Sequence, residues 1–303
     1  MAGIDFHSHF FSASFFRALA EKSPLPGTVE TRLAQVAARA GLELPPDDDT
    51  AHLARWTAEL DRHAVEHLCT FASAPEEIPA VCAAAERSGG RISAFALVDP
   101  RAEGAAARVR ALLESGRIRG ALVFPALHHF DVGRAEARPL LQALSDHRAV
   151  LFVHCGMLVV KLRDLLGLPR TQDLAYASPL SLIPAANAFP AVRFVIPHFG
   201  AGFFRETLIA GAQCENILVD TSSSNSWMSM HVPKLDLAAV FEATLAVFGP
   251  DRILFGTDSG TFPAGWRADR LKEQRAALVA LKTGPGEREK IFGGNARAIL
   301  GLR

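Results

Sequence analysis

The chain has 303 residues, 49% hydrophobic and 21% charged, which is long enough for a large core and typical of a globular protein. Its 32 basic side chains are balanced by 32 acidic ones, interspersed along the sequence, so the basic surface that nucleic-acid binding requires is not expected. The four cysteines are widely spaced and no apolar run reaches the ~18 residues of a membrane span, which argues against a disulfide framework, a thiolate zinc site and a bilayer segment.

An apolar start at residues 2–6 predicts the first strand, ending in Asp5-Phe6-His7-Ser8-His9. Residues two apart on a strand share a face, so His7 and His9 can converge on one point. Residues 10–49 then exceed a simple connection. Their cluster Phe10, Phe11, Phe15 and Phe16 reads equally as pocket lining or as a packed lid or dimer contact. This stretch lacks the basic segment that precedes a signal-peptide core, and cleavage there would discard both histidines. A cytoplasmic location is the resulting expectation.

An amphipathic helix over about 50–63 follows, introduced by the capping sequence Asp47-Asp48-Asp49-Thr50. Further strands are predicted at 66–72, 92–98, 118–124, 149–154, 193–197, 216–220 and 252–256. Helical stretches at 102–115, 136–147 and 267–282 fall between them. Near-continuous apolar strands suit a parallel sheet covered by helices. Eight of them predict a (β/α)₈ TIM barrel, as one domain over residues 1–303. Residues 155–185, containing Pro169, Pro179 and Pro184, form a long loop after strand five. Loops that follow strands open onto the catalytic face, so this loop and the insertion after strand one are expected to shape the pocket.

His154 ends strand five, His198 ends strand six and Asp258 follows strand eight. In a parallel barrel these ends share one rim with His7 and His9. Imidazoles with a carboxylate suit Zn²⁺ or a similar divalent ion, with a position left for a reactive water. A lone His-x-His arises by chance, whereas polar residues at four strand ends of one barrel point to a site.

Five segments carry a family resemblance: Asp5-Phe6-His7-Ser8-His9, Phe152-Val153-His154, Ile196-Pro197-His198-Phe199-Gly200, Phe255-Gly256-Thr257-Asp258 and Asn295-Ala296-Arg297-Ala298-Ile299-Leu300-Gly301. Through them nearly the whole chain resembles the amidohydrolase superfamily. The similar branch includes aminocarboxymuconate-semialdehyde decarboxylase and the amidohydrolase 2 proteins. The resemblance implies that His7, His9, His154 and Asp258 bind the metal, and that His198 lies beside its water or the substrate. Many binuclear relatives carry a carboxylated Lys at the end of strand four. Here that strand runs into Pro125, and no Lys occurs between Lys22 and Lys161, so a single ion is expected.

Zn²⁺ can lower the pKa of its water from about 16 to about 7. Asp258 is then the expected proton acceptor and His198 the group that orients water or stabilises negative charge. Hydrolysis of an amide, ester or lactone is the leading expectation. The same ligands also serve a non-oxidative decarboxylase of an unsaturated or aromatic acid, and they accept Mn, Fe or Co. A metal- or ligand-binding protein without catalysis is the alternative from another class, and retention of Asp258 speaks against it. Relatives imply a possible homodimer.

Candidate substrate contacts are His128, beside His129 after strand four, Arg205 as a carboxylate clamp, and Trp227 in the pocket wall. Asp220, after strand seven, either reaches substrate or bonds its own loop. His63 suits a helix end, where a cation is favoured. His52, His67, His147 and His231 are assigned to surface or packing roles.

Overall fold

Eight short apolar segments pair in sequence order into one parallel sheet. They are β1 Ala2–His9, β2 Val65–Phe71, β3 Ile92–Leu97, β4 Gly120–Val123, β5 Val150–Val153, β6 Arg193–Ile196, β7 Ile217–Asp220 and β8 Ile253–Leu254. The structure, a computed structural model, describes residues 2–222 and 225–302. The expected TIM barrel is present, with helices after the strands forming the outer layer.

Two features of the strands differ from expectation. β1 continues to His9 instead of stopping near residue 6, and β8 has only two residues. Ser8 and His9 pair with Thr70 and Phe71 of β2, and barrel closure supplies their second partner. Phe6 N donates to Phe255 O (2.8 Å) and His9 N to Ser259 O (2.7 Å), so the chain beyond β8 extends the pairing of β1.

The strands look continuously apolar because both of their faces are buried. On β5, Val150 and Phe152 join Phe6, Phe71 and Phe95 inside the barrel, whereas Leu151 and Val153 pack under the helices. Removing both faces from water is the main stabilising term, at roughly 25 cal/mol per Å² of apolar area.

The insertion after β1 folds as α1 (Ala13–Glu21) and α2 (Val29–Ala40), before α3 (Asp49–Arg62). Thr28 caps α2 through Thr31 N, and Gly41 ends it in the left-handed conformation. Asp48 caps α3, accepting from Thr50 N at 2.8 Å, as the Asp-Asp-Asp-Thr string predicts. Phe15, Phe16, Leu19, Leu33 and Val36 of the insertion pack on Leu166 and Leu168 of the β5 loop. Ser23 Oγ also donates to Leu166 O at 2.6 Å. The two long excursions therefore form one roof. Among the described residues, no helix is long and apolar enough to cross a membrane.

His67 on β2 is buried, with Nδ1 2.9 Å from Gly90 O and Nε2 2.9 Å from Ser93 Oγ. Burial pushes its pKa down to about 4. Between that value and the ordinary value near 6.5 the unfolded chain binds the extra proton. Stability should therefore rise with pH across this window, be complete above it, and fall as pH drops toward 4. The expected change is of order 3 kcal/mol. Urea denaturation at several pH values should show this slope, and His67→Gln should flatten it; an unchanged slope would contradict the assignment.

Candidate active site

The five predicted residues meet at the C-terminal rim of the barrel. His7 and His9 lie two residues apart on β1 and place their ring centroids 5.5 Å apart. His7 Nδ1 lies 2.8 Å from Asp220 Oδ2, and its Nε2 lies 3.6 Å from Asp258 Oδ1. His9 Nδ1 lies 2.7 Å from Ser73 Oγ, and its Nε2 lies 3.2 Å from Asp258 Oδ1. Both rings are thus held at Nδ1 and present Nε2 toward Asp258. His198 Nδ1 is 2.9 Å from Ser222 Oγ, and the His154 ring centroid is 5.3 Å from that of His198.

Sharp turns after the strands aim two of these side chains. His198 (φ 56°), Phe199 (φ 53°) and Asp258 (φ 59°) occupy the left-handed region, which costs energy for non-glycine residues and is concentrated at functional sites. Hydrogen bonds hold the turns. His198 N donates to Asp220 Oδ1 at 3.1 Å, and Asp258 N donates to His7 O at 2.9 Å.

Asp220 is fully buried and binds its own loop, the second of its two predicted roles, but it also supports the histidines. Its Oδ1 accepts from His198 N, from Ser222 N at 2.8 Å and from Ser222 Oγ, while Oδ2 faces His7. Sequence reading misses Ser222, which touches both His7 (3.2 Å) and His198, and the role of Asp5. Asp5 accepts from His7 N (3.1 Å), Thr257 N (3.1 Å) and Trp266 Nε1 (2.8 Å), tying β1 to the loop that carries Asp258. The only sequence signal for Asp5 is its place two residues before His7.

Burial pushes His154 down to about 3 and also lowers His9 and His198, which keeps their imidazoles neutral at physiological pH. His7 is raised: burial opposes this, but Asp220 outweighs it. Asp258 is held well below the carboxylate range; burial opposes the shift, and the hydrogen bond from His9 and the charges of the histidines prevail. Neutral imidazoles of His9, His154 and His198 beside an ionised carboxylate suit a divalent metal, which would displace a proton held on His7. Ligand atoms of His7, His198 and Asp258 lie within 4.8 Å of one another. The buried Nδ1 of His154 has no hydrogen-bond partner. The residues therefore fit a divalent ion. His198 stands within this tight group, and His9 and His154 flank it.

A cavity of about 360 Å³ opens over the site. Its wall includes Phe11, Phe15, Phe124, Met157, Lys161 and Arg163. Of the aromatic cluster, Phe11 stacks on His9 (4.8 Å) and Phe15 also lines the wall, while Phe10 and Phe16 are buried. Arg205, His128 and Trp227 do not line this cavity. Arg205 is exposed on the helix Phe204–Gln213, Trp227 is fully buried against Phe204 (ring centroids 5.6 Å apart), and His128 is half-buried beside the cavity-lining Leu127. Nothing in the sequence marks Lys161 and Arg163 as cations of the cavity wall. A larger groove of about 700 Å³ opens near Arg193, Asn216 and Arg252 at the strand starts, the end opposite the histidines. Catalytic groups in this architecture gather at strand C-termini, so the smaller cavity is the candidate active site.

Gly256 allows the close approach of β1 and β7 at this rim. A Cβ there would lie 2.7 Å from His7 Cβ and 2.9 Å from Ser222 Cβ. Gly256→Ala is expected to cost about 1–3 kcal/mol and to lower metal affinity, measured by denaturation and by chelator competition. Wild-type values for both would contradict this packing role.

The structure is an eight-stranded parallel TIM barrel with histidines and a carboxylate converging on its C-terminal rim as a candidate metal site. The chain belongs to the amidohydrolase family, whose sequence model matches residues 4–302. No curated protein matches it in sequence.

Among solved structures it is similar to 5-carboxyvanillate decarboxylase from Sphingomonas paucimobilis, at 13% identity and TM-score 0.68, covering 100% of both chains. It is also similar to 5-carboxyvanillate decarboxylase from Novosphingobium aromaticivorans complexed with manganese and 4-hydroxy-3-methoxy-5-nitrobenzoic acid. That match has 14% identity and TM-score 0.65, covering 99% of this chain and 96% of the other. A protein from Pseudomonas putida assigned as a 2-pyrone-4,6-dicarboxylic acid hydrolase matches at 18% identity and TM-score 0.63, covering 99% of this chain and 97% of the other. At these identities the likenesses show the shared fold.

Proposed function

We propose that this amidohydrolase-family protein is a hydrolase that uses one divalent metal, zinc, to attack an amide, ester or lactone carbonyl of a small molecule. The observation that carries the reading is the ionised Asp258 carboxylate between Nε2 of His7 and Nε2 of His9, facing the cavity at the barrel rim. His7, His9, His154 and Asp258 would hold the ion. When bound, it supplies a Lewis acid and lowers the pKa of a water.

The chain's own groups do the rest. Asp258 accepts a proton and returns it to the leaving group. With Nδ1 of His198 engaged by Ser222, its Nε2 remains to orient the reacting group or to stabilise negative charge. The apolar part of the wall, with Phe11, Phe15, Phe124 and Met157, lowers the local polarity and strengthens each of these interactions. Manganese, iron and cobalt suit the same donors. Elemental analysis after zinc reconstitution should give about one ion per chain, and absence of any metal would remove the basis for this reading. We place the protein in the cytoplasm, with a homodimer as its proposed assembly.

A second reading is supported by the apolar cavity and by the two decarboxylase relatives. Desolvating a carboxylate favours its loss as CO₂, so the same site suits a non-oxidative decarboxylase of an unsaturated or aromatic acid. Metal-loaded protein should be assayed against ester, lactone and amide substrates and against aromatic and unsaturated acids, with CO₂ measured throughout. A hydrolysis product without CO₂ supports the first reading; CO₂ release supports the second and overturns the first.

A further inference from the structure

We propose that Glu77, a buried carboxylate that does not line the cavity, is a positioning residue that sets the ring of His9 through Ser73. It does so by clamping together the loops that leave β1 and β2. The proposal rests on His9 being a metal ligand only for its effect on metal affinity.

Glu77 has no exposed surface and closes the short turn Pro75–Glu77 after β2. Its two oxygens serve different loops. Oε2 accepts from Ser73 N at 2.7 Å, just beyond β2, and Oε1 accepts from Ser12 N at 2.6 Å, just beyond β1. These loops flank His9. Ser73 Oγ lies 2.7 Å from His9 Nδ1. Phe11, the residue before Ser12, stacks on His9 with ring centroids 4.8 Å apart and planes 7° apart. His9 is therefore held at one edge and on one face, and each support leads back to Glu77 through a single backbone N–H.

A carboxylate in this place is costly for the fold. Burial pushes its pKa up to about 7, although the hydrogen bonds from Ser73 and Ser12 oppose the shift. Its neighbour Glu76 lies at the surface instead and pairs with Lys22 at 3.2 Å. Two N–H groups converging from separate loops need two acceptor oxygens at one point, which a carboxylate supplies. An amide would turn its NH₂ toward one of them.

The clamp bears on the chemistry through the state of one ring. His9 Nε2 faces Asp258 Oδ1 at 3.2 Å. For Nε2 to offer its lone pair there, Nδ1 must carry the proton and donate it to Ser73 Oγ. The place of Ser73 thus fixes both the tautomer and the angle of the ring, and Glu77 fixes the place of Ser73.

A double-mutant cycle on the full-length, zinc-reconstituted protein tests this, with Glu77→Ala, Ser73→Ala and the two combined. Ser73→Ala removes the hydroxyl and keeps the N–H that Glu77 accepts. Zinc affinity, measured by chelator competition, is expected to fall about tenfold or more in each single variant. The double variant should lose far less than the product of the two factors, because both changes break the same connection. In metal-free protein the imidazole nitrogen resonances of His9 should move in both single variants, while those of His67 stay in place. Glu77→Gln keeps the volume and one acceptor oxygen, so a smaller loss of affinity is expected, and it takes the place of Glu77→Ala in the cycle if the alanine variant does not fold. Unchanged zinc affinity and His9 resonances in a folded Glu77 variant, or losses that multiply in the double variant, would overturn the role of Glu77. If the wild type binds no zinc while the His9 resonances respond as stated, the metal reading falls and the positioning of His9 stands.

Discussion

Asp258→Asn is expected to lower turnover by about 10²–10⁴-fold, the range associated with loss of a positioned general base. The substitution preserves shape, and asparagine tolerates the left-handed backbone at φ 59° much as aspartate does. The hydrogen bond from residue 258 N to His7 O is unaffected by the side chain. What disappears is the anion 3.2 Å from His9 Nε2 and 3.6 Å from His7 Nε2, with its capacity to accept a proton. The rate constant should be measured on whichever compound the hydrolysis and CO₂ panels identify, with metal content determined on the same preparation. Low activity in metal-replete protein assigns proton transfer; low activity with metal loss assigns ligation. Full activity would refute both roles.

Asp220→Ala is expected to weaken metal affinity by about 10–100-fold, as is typical when a group orienting a ligating histidine is removed. Its carboxylate fixes His7 through Nδ1 and the His198 turn through the backbone. Truncation would leave His7 Nδ1, His198 N and Ser222 N without their buried acceptor. Each such loss costs about 1–3 kcal/mol, so metal-free protein should lose roughly 3 kcal/mol or more in urea denaturation. Chelator competition measures the affinity. Unchanged affinity and stability would mean that Asp220 supports nothing at this rim.

The barrel was legible because each strand is buried on both faces and therefore carries an uninterrupted apolar run, as Val150–Val153 does. Its ends were less so. The end of β1 pairs with Thr70 and Phe71 of β2 and with residues about 250 positions away beyond β8, and nothing local to Phe6-His7-Ser8 records the second of these pairings. The same distinction separates the arginines. Arg163 and Arg205 both follow rim histidines, and only the folded loops place one in the cavity wall and the other on an exposed helix.

By itself the sequence determined the eight-strand architecture, the family and the five residues that meet at the rim. Those properties rest on local periodicity and on motifs whose residue types survive being read one segment at a time. Tertiary structure alone decided that Asp220 and Ser222 support the histidines, that Asp5 ties β1 to the Asp258 loop, and that Arg163 belongs to the cavity wall. Each of those roles is a contact between distant segments or the orientation of a side chain on a long loop. Such roles arise only when barrel closure and loop packing set the directions in which side chains point.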